Sequence, residues 1–120
     1  MNARLRKSTK EVVNTLGDLL YKDRSKPRIP EKDWVELVRR VGKGDTSAMG
    51  SLYMWTHGIV FALAMRLVQD RVRAGAITVE VFQEVWSRAR EFDGTNQSVV
   101  AWIMNLARAG ALRAREAAQP

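Results

Sequence analysis

Apolar residues in this chain return every three or four positions, and no segment alternates with period two. That repeat suits helices, which present one face every 3.6 residues, and excludes half-buried strands. The strongest instance runs from Ile77 to Arg115. Ile77, Val81, Phe82, Val85, Trp86 and Ala89 share one stripe, and Val99, Trp102, Ile103, Leu106, Ala107 and Gly110 form a second. Between them lies Glu91–Ser98: an aromatic, an Asp-Gly turn signal, then Thr, Asn, Gln and a Ser placed to cap the next helix. Two packed helices would thus present a polar loop beside arginines. That is a device suited to reading a single-stranded nucleic acid.

The same period extends upstream. Asp33 can cap a helix carrying Trp34, Leu37, Val38 and Val41; Gly42-Lys43-Gly44-Asp45 breaks it, and Asp45 or Thr46 starts the next. A helix from Ser47 to about Val68 follows, with Ala48, Leu52, Trp55, Ile59, Leu63 and Leu67 on its stripe and with Gly50 and Gly58 available for close approach of a neighbour. Gln69-Asp70-Arg71 reads as the turn that follows. Short connections between helices predict an all-α fold, a compact helical bundle spanning residues 31–117. Residues 1–30 read as a separate basic extension. Ser8-Thr9-Lys10-Glu11 has capping-box spacing, and Val12, Val13, Leu16, Leu19 and Leu20 give an amphipathic helix over residues 9–21, weakened at Gly17. A proline-containing linker follows. A helix this short is marginal alone in water, so it packs on the main domain, on a partner or on a second copy of the chain.

Charge is unevenly placed. Of the net +7, residues 1–30 hold eight basic and three acidic side chains, or +5, leaving +2 for the rest. A basic chain attracts phosphate-bearing partners without sequence preference, though many basic proteins never meet nucleic acid. There are no cysteines, so disulfides and thiolate metal sites are excluded, which suits the cytoplasm. His57 is the sole histidine, so a histidine metal cluster within one chain is excluded too. No apolar run is expected to span a membrane, and the N-terminus lacks the apolar core of a secretory signal.

Enzyme signatures are missing: no Gly-rich phosphate loop, no G-x-S-x-G, no H-E-x-x-H. Glu80 and Glu84 lie four apart, but without further ligands they read as a solvated face rather than a metal site. His57 reads as structural or surface. No cofactor or metal is expected. The tryptophans Trp34, Trp55, Trp86 and Trp102 fall on apolar stripes and are expected mostly in the core, with Trp102 able to lend an edge to a stacked base.

The order of these features resembles region 2 of the extracytoplasmic-function sigma factors, specificity subunits of bacterial RNA polymerase. Gly44-Asp45-x-x-Ala48-Met49-x-x-Leu52-Tyr53 is similar to the opening of that region. Ala64-Met65-Arg66-Leu67, Asp70-Arg71, Thr78, Glu80-Val81-Phe82, Val85-Trp86, Phe92-Asp93, Ala101-Trp102-Ile103, Ala107-Arg108 and Ala111-Leu112 fit the same pattern, without a gap from about Asp33 to Arg115. The resemblance implies a helical bundle with two working surfaces. One binds the clamp helices of the polymerase β′ subunit, and its candidates here are Ala76, Val79, Glu80 and Gln83. The other captures the non-template strand of the −10 promoter element, with a base unstacked into a loop pocket. Its candidates are Phe92, Asp93, Thr95, Asn96, Gln97 and Ser98, with Asn105 and Arg108 on the last helix and Arg113 and Arg115 as phosphate contacts. For each, the plain alternative is an ordinary solvated side chain, and Phe92 can simply cap the core.

The departures from the pattern carry weight as well. Gly75-Ala76 stands where the family usually has Glu-Asp, and Val79 where it has Gln. Such changes remove charge-assisted contacts, each typically worth about 1.5–3 kcal/mol. Ala109 replaces a common Asn, Gly110 a polar or basic residue, and Arg113 a usual Asp. The sequence stops at Pro120, so the second sigma domain, which reads the −35 element, is absent from it. It is either an excised fragment or a sigma-like chain with changed duties. The two functional readings are therefore a transcription-initiation module binding core polymerase and −10 DNA, and a protein-interaction module without promoter activity. The second would bind an anti-sigma factor, act as a decoy, or self-associate through residues 9–21.

Overall fold

The computed structural model describes residues 29–118. The helix expected over residues 9–21 and its linker lie outside the described residues. Four helices follow in order: α1 Glu31–Gly42, α2 Thr46–Val68, α3 Arg71–Arg88 and α4 Val99–Ala118, with a 3-10 turn at Ala89–Glu91 between α3 and the loop. No strand occurs among the described residues.

Local chemistry sets the boundaries. α1 begins earlier than expected, because Pro30 rather than Asp33 occupies the cap position and its carbonyl accepts from the amides of Asp33 and Trp34. Proline suits a helix start, since its fixed φ is compatible and the missing N–H has no intrahelical role there. α1 ends where Gly44 takes a φ of 89°. The amides of Lys43 and Asp45 both bond back to the Arg40 carbonyl, which terminates the helix. Asp45 then caps α2: its Oδ1 accepts from the amides of Ser47 and Ala48, while Oδ2 receives the Arg40 guanidinium at 2.8 Å. The Ala48 amide, and then Arg40, hold the Asp45 carboxyl below its ordinary range. α3 starts at Asp70, whose Oδ1 accepts from Arg73 N at 3.0 Å. Its first helical residue, Arg71, is six residues ahead of Ile77, where the apolar stripe first becomes visible.

The core forms between the inner faces of all four helices. Trp34, Val38 and Val41 enter from α1, Leu52, Ile59 and Val60 from α2, Ile77, Val81 and Val85 from α3, and Val99, Ile103 and Ala107 from α4. Thr56 and Thr78 are buried among them. Each satisfies its hydroxyl by donating to the carbonyl one turn back, at 2.7 and 2.8 Å. α2 is long and apolar enough, by length and composition, to pass for a membrane span. The other three helices pack against it.

Three packing expectations need correction. Trp86 is 41% exposed, because Val85 takes the core slot and the indole falls about 100° further round the helix. Trp55 is only half-buried. A Cβ on Gly50 or Gly58 would meet nothing within 4 Å, so neither glycine admits a neighbouring helix. Close approach occurs instead at Gly42, where a Cβ would lie 3.3 Å from the backbone nitrogen of Arg90.

Candidate nucleic-acid interface

The loop Phe92–Ser98 is organised by one carboxylate. Asp93 Oδ1 accepts from the Thr95 amide at 2.9 Å and from the Thr95 hydroxyl at 2.6 Å, and Oδ2 accepts from Asn96 Nδ2 at 2.8 Å. This is the local side-chain-to-backbone bonding that lets Asp define a turn. The Thr95 hydroxyl and amide lower the Asp93 pKa below its ordinary value. Both oxygens are engaged inside the loop, so Asp93 holds its shape.

Beneath the loop, Phe92 is half-buried with its ring 5.0 Å from that of Trp102 and tilted by 45°. Gly94 lies against α1, where a Cβ would stand 3.4 Å from Val35 Cγ2. Thr95, Asn96 and Ser98 face solvent, and Gln97 is half-buried with its Oε1 accepting from Asn105 Nδ2 at 3.4 Å. Nothing among the described residues covers the segment.

Two side chains join the loop to α4. Ser98 caps the helix as expected, its Oγ accepting from Ala101 N at 3.1 Å. Glu31, for which the sequence suggests no role, reaches from α1 so that its Oε2 accepts from Val99 N at 3.0 Å. A carboxylate at a helix N-terminus is favourable both as an acceptor and against the helix dipole.

On α4, Asn105, Arg108 and Arg115 are exposed. At about 100° per residue they fall on one stripe, which starts from the loop. Arg113 is turned roughly 120° away from that stripe toward α3. Its guanidinium lies 3.8 Å from where a Gly110 Cβ would be. The fold thus unites the loop with Asn105, Arg108 and Arg115, and separates Arg113 from them. The far end of α4 is fixed by Arg73, whose guanidinium donates to the Ala114 carbonyl, a contact without any local sequence signal.

The second candidate surface is the outer face of α3. Ala76, Val79, Glu80 and Gln83 are all exposed there. Val79 is 57% exposed, and with Met49, Tyr53, Phe82, Gln83 and Trp86 it lines an open groove between α2 and α3. Tyr53 sits edge-on to Phe82 at 5.0 Å and stacks on His57 at 4.6 Å, while His57 Nδ1 lies 2.9 Å from the Tyr53 carbonyl. The groove is apolar apart from Gln83 and the Tyr53 hydroxyl. No group of His, Asp or Glu among the described residues could hold a metal.

Comparison with known proteins agrees with the resemblance. The chain is 36% identical over 81 residues to the ECF RNA polymerase sigma factor SigK of Mycobacterium tuberculosis (strain ATCC 25618 / H37Rv), covering 68% of this chain and 43% of that one. The SigK of Mycobacterium sp. (strain KMS) is 31% identical over 85 residues, covering 68% of this chain and 44% of its own. That of Mycobacterium ulcerans (strain Agy99) is 31% identical over 71 residues, covering 59% and 38%. The chain therefore spans less than half the length of the curated relatives it matches. No protein-family model matches it, and neither does any solved structure. Through its helical domain, the chain belongs to the extracytoplasmic-function RNA polymerase sigma factors.

Proposed function

We propose that the domain is a sigma region 2 module that acts in transcription initiation in the cytoplasm, with no catalytic activity of its own. In this reading the outer face of α3, with Ala76, Val79, Glu80 and Gln83, docks on the β′ clamp helices of core polymerase. The loop Phe92–Ser98 takes an unstacked base of the −10 non-template strand, and Asn105, Arg108 and Arg115 follow the strand along α4. The observation that carries it is the open loop, held in shape by Asp93 and continuous with an exposed stripe of hydrogen-bonding and cationic side chains. Unstacking a base costs a few kcal/mol, and a preorganised pocket can offset that with stacking and hydrogen bonds. Trp102, at 9% exposure, supports Phe92 from below, which leaves it little surface for a base. The test is to mix the domain with core polymerase and with a fluorescent −10 single strand at low salt. Binding to both is expected, and failure to bind either overturns the reading.

A second reading is favoured by one observation, the apolar α3 face. Here the chain keeps the sigma fold as a protein-interaction module without promoter activity, binding an anti-sigma factor or another copy of itself. Ala76→Asp with Val79→Gln restores the polar set of the family. A gain in polymerase affinity on restoration supports the second reading, and no change counts against it.

A further inference from the structure

One apolar surface lacks a partner among the described residues, and the sequence predicts a second that lies outside them. The first is the groove on α2 and α3. Along α3 it is lined by Val79, Gln83 and Trp86, and the exposed Val72 and Ala76 continue their line, giving a spacing of four, three, four and three residues from Val72 to Trp86. That is the 3.5-residue seam by which one helix receives another, knobs into holes. Val72 is 83% exposed and Val79 and Trp86 remain open, so nothing among the described residues fills it. The second is the predicted amphipathic helix over residues 9–21, where Thr9, Val12, Leu16 and Leu19 step by three, four and three. The seam from Val72 to Trp86 and a helix of that length are both about 20 Å long at 1.5 Å per residue.

We propose that residues 9–21 dock as a helix into the α2–α3 groove of their own chain, covering Val79, Phe82 and Trp86. The connection allows it. Residues 22–28 join the segment to Ile29, which packs against the core. Pro27 favours an extended chain, so seven residues reach about 22 Å. α1 is about 18 Å long, and Trp86 shares a hollow with Val41 and Gly42 at the far end of α1. The groove therefore lies within reach of its own N-terminal segment. Where the family pattern has carboxylates and an amide, Gly75, Ala76 and Val79 make this face apolar, as a helix bearing leucines requires. Taken with the reading of α3 as the polymerase-docking face, the segment would compete with polymerase for one surface.

The docking itself is tested without polymerase or DNA, so its failure is distinct from failure of the functional reading. The chain has no cysteine, so Leu16→Cys with Val79→Cys in the full chain allows one disulfide. Oxidation is expected to give an internally cross-linked monomer at a rate independent of protein concentration. In a second arm, Val79→Cys alone is treated with a thiol reagent, with and without Leu16→Asp and Leu19→Asp. With an effective concentration of about 1 mM and a helix–groove Kd of about 100 µM, the aspartates should raise reactivity about tenfold. Cross-links only between chains would identify a second copy as the occupant and overturn the proposal. Absence of any cross-link, or a reactivity that the aspartates leave unchanged, would overturn it as well.

Discussion

Glu31→Ala removes one acceptor, and its effect can be worked out in advance. Glu31 Oε2 accepts from Val99 N across 68 positions of sequence, holding the first turn of α4 and the end of the loop against α1. A hydrogen bond to a charged group contributes about 1.5–3 kcal/mol net. A carboxylate at a helix N-terminus adds about 0.3–1 kcal/mol where it is not screened. Glu31 is exposed, so water can replace much of what the variant loses, and a loss of about 1 kcal/mol is expected. In a domain of this size that lowers Tm by roughly 4–8 °C. Glu31→Gln keeps an acceptor oxygen and gives up the charge, so it should recover about half of the loss. Thermal unfolding followed by circular dichroism measures both variants. A Glu31→Ala protein melting within about 1 °C of the parent would refute the argument, as would a glutamine variant no better than the alanine.

Further predictions concern other parts of the fold. Gly110→Ala places a methyl in ordinary contact with Ile77 and should stabilise the domain by about 0.5–1 kcal/mol through helix propensity, read as a higher Tm; a lower Tm would show that this crossing is tighter than described. Because the pKa of Asp93 is lowered by Thr95, its contribution to loop order is complete above the ordinary carboxylate value of 3.8 and is lost as pH falls through the depressed folded value. Thr95 amide exchange should therefore stay protected down to that value and accelerate below it. Arg108→Ala and Arg115→Ala should each reduce the salt dependence of single-strand binding by about 0.7 in log–log slope. Arg113→Ala, on the other side of α4, should leave the slope unchanged, and titration of binding against salt distinguishes them.

Much of the fold was legible because its signals are local. The helical period, Asp45 as a cap, the break at Gly44 and the Ser98 cap each act within a few residues of themselves. Spacing puts Trp86 in the core for a related reason: stripe membership read from spacing tolerates an error of one residue, and one residue is about 100°. Asp33 lost the cap to Pro30 because a proline fixes the start of a helix more firmly than a polar side chain three residues on. At the candidate interface the loop residues were visible as a polar run, but their division of labour was not. That Asp93 serves the loop, and that Arg113 leaves the stripe, are facts of three-dimensional bonding and helix phase. Glu31 and Arg73 were illegible, since each meets a partner on a helix distant in sequence.

The bond between Glu31 and Val99 also has a kinetic meaning. Few contacts in the domain join residues so far apart along the chain, and loops that long close only after their ends have been brought near. Ordering of the Phe92–Ser98 segment therefore completes late in folding, once α1 and α4 have both settled on α2. On warming, the same segment is expected to loosen before the core around Trp34 and Trp102 does.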